Sequence, residues 1–292
     1  MEWDMKGKVS LITGANAGIG KRVAKRLAGA GSSVIMVCRN ANAGEKAAEE
    51  IRQETGNGDV KVLQADLSSQ GSVRALADSV LGGYERLDVL IHNAANFDLS
   101  MKRPELTEDG VEKIFATNHL GPFLLTNLML SRLEQCAPSR IITIASKGLL
   151  SYPRMTIEFE NLNGELKYSP TRAYYHSKFA QLIFTYELAE RLKGTGVTVN
   201  AIRVPSVKVD AGRNDHLPAW MRALYKLKRR FSIDPEQMAE TYFFLSAAPS
   251  LLHLSGKYFD ELNREVASSR NSYDKLVWRK LWEVSEKLTG LK

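Results

Sequence analysis

The sequence predicts an α/β protein: a Rossmann-type, doubly wound parallel sheet of about seven strands with helices on both faces. Short apolar segments alternate with longer amphipathic ones along the 292 residues, as β-α-β crossovers require. The segments Val34–Val37 and Val89–Ile91 are apolar without alternation, which is typical of strands covered on both faces. A glycine-rich turn joins the first apolar segment to the first amphipathic one. These observations predict a single domain over residues 1–292.

The element order follows from the same pattern. Strands are expected at 8–13, 33–38, 60–65, 87–92, 139–145, 196–203 and 256–259. Helices are expected at 18–29, 41–55, 69–82, 109–133 and 172–193. The least regular segment, 205–235, follows the sixth strand and suits either a lid over a substrate site or a plain surface loop.

Composition narrows the class of protein. A hydrophobic content of 44% is ample for a sizeable core. The two cysteines, Cys38 and Cys136, give no disulfide framework and suit a reducing compartment. The start Met1–Lys6 lacks the layout of a signal peptide, and no run reaches the ~18 apolar residues that cross a bilayer. A cytoplasmic protein without a metal site is therefore expected.

The glycine-rich turn has the order of a phosphate-binding site. The strand Lys8–Thr13 leads into Gly14, Gly18 and Gly20, and a helical pattern follows at once. Glycines let the backbone turn tightly beside a pyrophosphate, and the helix N-terminus offers N–H groups and a positive dipole end. The spacing is G-x-x-x-G-x-G, and a bare glycine-rich turn is the structural alternative.

Tyr174 and Lys178 carry the chemistry that a helix could bring together. Four residues apart on a helix, the two side chains lie on one face. An ammonium beside a phenol favours the phenolate, so Lys178 is expected to lower the pKa of Tyr174 and suit it to proton transfer. Tyr175 stands three residues before Lys178, and helical geometry alone permits it as the partner. A packed ring beside a solvated cation is the alternative without catalysis.

These features resemble the short-chain dehydrogenase/reductase family over nearly the whole chain. The motifs that carry the resemblance are Thr13–Gly20, Asp66-Leu67, His92–Ala95, Asn118, Ser146 and the Tyr174/Lys178 pair. Four further segments resemble its retinol-dehydrogenase branch: Val37–Asn40, Asn118–Phe123, Ser255–Phe259 and Leu281–Lys292. The resemblance divides the domain into a dinucleotide-binding half at about 7–145 and a catalytic and substrate part at about 146–292.

The resemblance also implies roles for individual residues. The implied catalytic set is Asn118, Ser146, Tyr174 and Lys178, although Ser146 and Asn118 could each be ordinary structural residues. The implied cofactor contacts are Gly14, Asn16, Gly18, Ile19, Gly20, Arg39, Asp66, Leu67, Asn93, Tyr174 and Lys178. In the implied reaction, the nicotinamide gives a hydride to a carbonyl carbon, Tyr174 protonates the oxygen and Ser146 hydrogen-bonds it. Lys178 would grip the ribose, and Asn118 would hold a water that links Lys178 to solvent.

Charge at the end of the second strand favours NADP(H) over NAD(H). An acidic residue there would bond the ribose hydroxyls of NAD and repel a 2′-phosphate, but Cys38 and Arg39 occupy this place. Arginine binds phosphate through a forked pair of hydrogen bonds. Arg39 could instead be an ordinary surface cation. Lys21 and Arg22 could assist it or simply face solvent.

The expected function is NADP-dependent interconversion of an apolar aldehyde or ketone, of which a retinoid-like compound is one candidate, and its alcohol. Residues near 97–103, 148–157 and 205–235 are expected to line the pocket, with Leu149, Leu150, Met155, Trp220 and Leu224 as apolar candidates. Several departures from the family pattern put turnover in question: His92, Ala95, Ser206 and Asp210. The altered loop Pro205–Asp210 motivates the alternative of an NADP(H)-binding but catalytically weak redox sensor or scaffold.

The net charge of +7 raises the question of a charged partner. The basic, partly amphipathic segment 216–231 suits a helix capping the site, and after that a peripheral contact with an anionic membrane; nucleic acid is the least favoured partner. By analogy with relatives, two chains could pair as a homodimer through 109–133 and 172–193.

Overall fold

A computed structural model describes residues 4–98, 100–208 and 232–292. All seven strands lie in one parallel sheet of order β3-β2-β1-β4-β5-β6-β7, so the strand order reverses between β1 and β4. The strands β1 to β7 are Val9–Thr13, Ser33–Cys38, Val60–Gln64, Val89–His92, Ser139–Ser146, Val197–Val204 and Lys257–Phe259. The predicted fold class is confirmed.

Helices cover both faces of the sheet. They are α1 (Gly18–Gly29), α2 (Ala41–Thr55), α3 (Gln70–Gly83), α4 (Lys113–Phe115), α5 (Gly121–Gln135), α6 (Pro170–Arg191), α7 (Pro235–Ala247) and α8 (Lys275–Leu288). The apolar faces of α1, α2 and α7 form one core layer with the sheet. Those of α3, α5, α6 and α8 form the layer on the opposite face.

The helix expected at 109–133 is interrupted. It begins as the single turn α4, passes through a π-helical turn at Ala116–Leu120, and continues as α5. The π turn contains Asn118, and such local widening of a helix is frequent at functional sites. The interruption therefore distinguishes this position from an ordinary helix interior.

The segment expected to be a lid is described only at its two ends. The Lys208 N–H donates to the Ile233 carbonyl at 3.0 Å, and the Ile233 N–H donates to the Ser206 carbonyl at 3.0 Å. The hydroxyls of Ser206 and Ser232 are also hydrogen-bonded, at 2.9 Å. The segment is therefore closed at its base by a short parallel bridge. Asp210, Trp220, Leu224 and the basic segment 216–231 lie outside the described residues.

Candidate active site

The glycine loop lies at the carboxyl end of β1, beside the point where the strand order reverses. Gly14 and Gly18 have φ of +66° and +57°, a left-handed conformation that favours glycine. A Cβ on Gly20 would come within 2.3 Å of the Gly14 carbonyl oxygen and 2.5 Å of Asn93 Nδ2. Ala17 provides no side-chain cap to α1, whose first turn contains no acidic residue. The donors and the dipole end of α1 therefore suit an anionic ligand.

Asn93 ties the glycine loop to β4. Its Nδ2 donates to the carbonyls of Thr13 and Gly14, at 2.9 and 3.1 Å. Its Oδ1 accepts a hydrogen bond from the hydroxyl of Tyr242, a fully buried residue of α7, at 3.3 Å. Asn93 thus acts on the shape of the loop through its backbone. Nothing in the sequence pattern indicated Tyr242.

The end of β2 carries one exposed cation. Cys38 is buried, and burial raises the pKa of its thiol to about 11, so the thiol is neutral near neutral pH. Arg39 is exposed and forms no ion pair with another described residue. The two other candidate cations are engaged: Lys21 pairs with Glu50, and Arg22 pairs with Glu236 at 2.6 Å. Of these three cations, Arg39 is the one without an ion pair in the described part of the chain, and it is therefore available to bind a phosphate.

Asp66 and Leu67 form the turn after β3. Asp66 Oδ1 accepts hydrogen bonds from the backbone N–H and the hydroxyl of Ser68, at 2.9 and 2.7 Å. Leu67 is buried against α5, where a Cβ on Gly121 would come within 2.3 Å of the Leu67 carbonyl oxygen. The turn is therefore held rigidly at the same edge of the sheet as the glycine loop.

Ser146 and Tyr174 meet at the carboxyl end of β5. The Ser146 hydroxyl lies close enough to the Tyr174 phenol to lower its pKa, and Ser146 Oγ accepts from the N–H of Gly148 at 3.2 Å. The Phe97 ring lies over the Tyr174 ring, with centroids 4.2 Å apart. Tyr175 instead packs on Tyr152 and against Gly148, where a Cβ would come within 2.4 Å of its ring. Of the two tyrosines, Tyr174 is the one beside Ser146.

Lys178 lies one turn beyond Tyr174, and it points inward. Its Nζ donates to the Ile144 carbonyl at 2.8 Å and to Gln181 Oε1 at 3.1 Å, and lies 6.0 Å from the centre of the Tyr174 ring. Burial lowers the pKa of Lys178 to about 7. Burial likewise raises the pKa of Tyr174 above its ordinary value, with the Ser146 hydrogen bond opposing. This direction is opposite to the expected lowering by Lys178, because desolvation outweighs a charge held at that distance.

Asn118 joins the loop after β4 to α6. Its Oδ1 accepts from the Asn96 N–H at 2.6 Å, and its Nδ2 donates to the Asn96 carbonyl at 3.0 Å and to Ser177 Oγ at 2.9 Å. Ser177 in turn donates to the Tyr174 carbonyl at 2.7 Å. Both amide protons are therefore used within the protein. The water-bridging role expected of Asn118 stays a prediction, and its described contacts position the helix turn that carries Tyr174.

The departures from the family pattern have visible contacts. His92 is fully buried and its Nε2 hydrogen-bonds with Thr126 Oγ1 at 2.7 Å. Ala95 is exposed, so its methyl group meets no crowded interior. Ser206 bonds to residues that follow 209–231 in the chain: its carbonyl accepts from the Ile233 N–H at 3.0 Å, and its hydroxyl bonds that of Ser232. None of these residues displaces Ser146 or Tyr174.

A cavity of about 140 Å³ opens beside Ser146. Apolar side chains of the β5–α6 loop and of α6 line it, among them Leu149, Leu150 and Phe179, together with Tyr258 of β7. Met155, expected to line the pocket, is buried in the core instead. The cavity offers an apolar surface next to the hydroxyl of Ser146.

The likeness to known proteins agrees with this geometry. Residues 8–218 match the family model described as short chain dehydrogenase. The human retinol dehydrogenase 14 is 40% identical, with 98% of this chain and 88% of that protein covered. Mouse retinol dehydrogenase 12 is 42% identical, covering 98% and 87%. The protein is an NAD(P)-dependent oxidoreductase that acts on alcohol or carbonyl groups. It belongs to the short-chain dehydrogenase/reductase family, in the retinol-dehydrogenase-like branch.

Solved structures share the fold. An uncharacterised protein from Mycobacterium paratuberculosis is 31% identical with a TM-score of 0.73, covering 98% of this chain and 95% of that one. A short chain dehydrogenase from Shigella flexneri, solved in complex with NADP, is 23% identical with a TM-score of 0.69, covering 90% and 100%. Over the described ranges, the chain has no helix with the length and apolar character of a membrane span.

Proposed function

We propose that this protein interconverts an apolar aldehyde or ketone and the corresponding alcohol with NADP(H), using Tyr174 as the acid and base. The observation that carries the proposal is the placement of the Tyr174 phenol beside Ser146, at the carboxyl end of β5. Lys178 lies one helical turn away, and the glycine loop lies at the same edge. Ligands of doubly wound sheets bind at this edge, near the reversal of strand order.

The residues divide the work between proton transfer and positioning. Because burial raises its pKa, the Tyr174 phenol is protonated near neutral pH and can donate its proton to a carbonyl oxygen. Ser146 is placed to hydrogen-bond the same oxygen and to stabilise charge that develops on it. Phe97 covers the Tyr174 ring and limits its contact with water. NADP(H), when bound, supplies or takes up the hydride. In the oxidation direction, the phenolate form of Tyr174 would take up the proton of the alcohol, and Ser146 would hydrogen-bond the same oxygen.

Cofactor binding is proposed for the glycine loop and for the residues around it. The uncapped start of α1 suits the pyrophosphate, and Lys178 has a donor to offer a ribose hydroxyl. Arg39 supports a preference for NADP(H), since an exposed guanidinium favours the 2′-phosphate and β2 ends without a carboxylate. Asn93, Asp66 and Leu67 shape the surrounding turns.

The apolar substrate class is supported by the cavity beside Ser146. Its leucine and aromatic lining suits an alkyl or polyene chain whose carbonyl lies at Ser146. The names of the relatives, which are retinol dehydrogenases, support a retinoid-like substrate as one member of this class.

The organisation of the chain is proposed on the same basis. Residues 7–145 form the dinucleotide-binding half and 146–292 the catalytic and substrate part of one domain. Two chains could associate through α5 and α6, which size-exclusion chromatography with light scattering would detect. Contact with an anionic membrane through 216–231 would appear as sedimentation with vesicles that depends on anionic lipid.

Turnover of the wild-type protein tests the proposed reaction. NADPH oxidation is measured against short aldehydes, decanal and all-trans-retinal, with NADPH binding followed by fluorescence. The proposal expects binding, and faster turnover of decanal or retinal than of short aldehydes. Binding without turnover of any carbonyl on this panel would contradict it and favour the redox-sensing or scaffold alternative.

A further inference from the structure

Gln181 lies one helical turn beyond Lys178 and has no surface exposure. We infer that Gln181 is a positioning residue, whose side-chain oxygen, with the Ile144 carbonyl, anchors the Lys178 ammonium inside the protein below Tyr174. The reaction role of Lys178 belongs to the proposed function, on which this inference rests for its catalytic meaning. The anchoring itself is a property of the folded chain.

The contacts of Lys178 define the anchor. An ammonium has three donors, and two of them are directed to neutral oxygens: the Ile144 carbonyl at 2.8 Å and Gln181 Oε1 at 3.1 Å. No third protein partner is found for Nζ within the described ranges of the chain. One donor is thus left for a ligand hydroxyl, while the other two fix the direction of the side chain.

The other end of the Gln181 amide shows that packing does not account for this residue. Gln181 Nε2 is buried and has no hydrogen-bond partner among the described residues. A buried amide N–H without a partner is costly, and an apolar side chain of similar size would avoid that cost. The favourable contact that Gln181 makes through its side chain in the described structure is with Lys178. The glutamine is therefore best explained by what it does for the lysine.

The surroundings of Lys178 leave few other groups to control its charge. Among the described residues, the titratable side chains found against it are Tyr174 on its own helix and His92 on β4, whose pKa is lowered to about 3 by burial and by Lys178. Both are neutral near pH 7. No carboxylate forms an ion pair with Lys178 within the described part of the chain. The Ile144 and Gln181 oxygens therefore provide the hydrogen-bond stabilisation of the Lys178 ammonium that a carboxylate would otherwise provide.

Two substitutions of Gln181 have opposite expected effects on Lys178. Gln181→Met keeps an unbranched side chain but removes the strong acceptor, which disfavours the ammonium and lowers the pKa of Lys178 further. Gln181→Glu places a carboxylate where the amide oxygen was, which favours the ammonium and raises that pKa. Simple disruption of packing predicts no such difference in sign.

The test is a direct titration of Lys178 in the cofactor-free protein. Lysine is labelled with ¹³C at Cε, the Lys178 signal is assigned by its loss in Lys178→Met, and its shift is followed from pH 5 to 11. We expect a wild-type midpoint near 7, a fall of about one unit or more in Gln181→Met, and a rise of about one unit or more in Gln181→Glu.

Thr185→Val is the matched control. Thr185 is fully buried one turn further along α6, and its hydroxyl contacts the Gln181 carbonyl and Thr143 but not Lys178. In Thr185→Val, the Lys178 midpoint should stay within about 0.3 units of the wild type, since no acceptor of Nζ is removed. Circular dichroism establishes that each variant is folded. If Gln181→Met fails to fold, Gln181→Glu against the control still decides the sign.

The titration is independent of turnover, so the two proposals fail separately. Unchanged midpoints, or shifts of the same sign in both Gln181 variants, would overturn the positioning role even if the enzyme reduces retinal. Opposite shifts in a protein that reduces nothing would uphold the anchor and contradict the proposed reaction. In an active enzyme, the midpoint of the pH profile of kcat/KM for NADPH should move in the same direction as the Lys178 midpoint.

Discussion

At the residue scale, Lys178 brings a positive charge into a wholly buried position. The neutral oxygens around it replace only part of the water that an exposed ammonium would have, so its pKa falls to about 7. In the unfolded chain the same group titrates near 10.4. The folded protein therefore binds this proton less tightly than the unfolded chain does, and stability depends on pH through this one residue.

Lys178→Met tests how much the buried ammonium of Lys178 destabilises the folded protein. Between pH 7 and 10 the unfolded wild type binds more protons than the folded form, so wild-type stability rises with pH relative to the variant. The free energy of unfolding of Lys178→Met should exceed that of the wild type most at pH 6 to 7. The excess should then shrink by about 1.4 kcal/mol per pH unit up to pH 10. Urea unfolding at a series of pH values measures it.

Lys61→Met provides the comparison, because Lys61 is exposed on β3. It removes a lysine without removing a buried charge, and so controls for the loss of lysine itself. A pH-independent difference for Lys178→Met would show that Lys178 keeps its ordinary pKa in the folded protein.

Arg39 is the residue on which the cofactor preference rests. Arg39→Asp removes the proposed phosphate partner and adds a carboxylate that suits ribose hydroxyls. The dissociation constant for NADPH should rise by about 10- to 100-fold, the loss expected for a charge-assisted pair, while that for NADH stays equal or falls. Fluorescence titrations with both cofactors measure the change. Equal weakening of both would mean that Arg39 does not read the 2′-phosphate.

At the element scale, the C-terminal helix α8 is tied to the π turn that carries Asn118. Ser285 donates to the Leu281 carbonyl at 2.7 Å, so its hydroxyl accepts from His119 Nε2 at 2.8 Å, and both residues are buried. Trp282 packs against Phe123 of α5 and Arg191 of α6. The last helix thus fastens two of the elements that position the proposed site.

Ser285→Ala should destabilise the protein by about 1–3 kcal/mol, because it leaves the buried N–H of His119 without a partner. Urea unfolding measures this loss. Ser79→Ala is the matched control: Ser79 also donates to the carbonyl four residues before it, Ala75, but it is exposed on α3 and bonds no histidine. The control should change stability by no more than about 0.5 kcal/mol. Equal effects would refute the role given to His119.

The glycine loop makes a second prediction at this scale. Gly20→Ala would force a Cβ to within 2.3 Å of the Gly14 carbonyl oxygen, so the loop has to shift. NADPH should bind at least about tenfold more weakly as the loop loses its shape. Gly29→Ala lies on the same helix, where the nearest atom is Thr55 Cγ2 at 3.8 Å, and it should bind NADPH like the wild type. Tight binding by Gly20→Ala would exclude this loop as the pyrophosphate site.

At the scale of the whole molecule, the strands could be predicted to within two residues, because most of them are largely buried on both faces. The edge strand β3, with Lys61 exposed, is the less buried exception. The helices α7 and α8 were not predicted. Helix α7 has apolar residues on most sides, so it lacks a clear period, and it directly follows the irregular segment 205–235. Within α8, the sequence from Leu281 onward indicates only the resemblance to the branch, although Trp278, Leu281, Trp282 and Ser285 share one buried face.

The site residues likewise include some that the sequence could predict and some that it could not. Family spacing indicated Asn118, Ser146, Tyr174 and Lys178, and the fold gathers them at one edge. Their partners come from remote or unremarkable positions: Phe97 on a loop, Ser177 and Gln181 within α6, Tyr242 on α7. Burial, which decides the pKa of both Tyr174 and Lys178, depends on the packed tertiary structure and cannot be derived from a four-residue spacing.

The most direct test of the central claim is NADPH oxidation with decanal and all-trans-retinal by the wild type, Tyr174→Phe and Tyr175→Phe. We predict that Tyr174→Phe loses about 10²- to 10⁴-fold in kcat, the usual effect of removing a general acid, while it still binds NADPH. Tyr175→Phe should retain most of the activity, because the Tyr175 ring packs on Tyr152 and against Gly148. Turnover that survives in Tyr174→Phe and is lost in Tyr175→Phe would contradict the assignment.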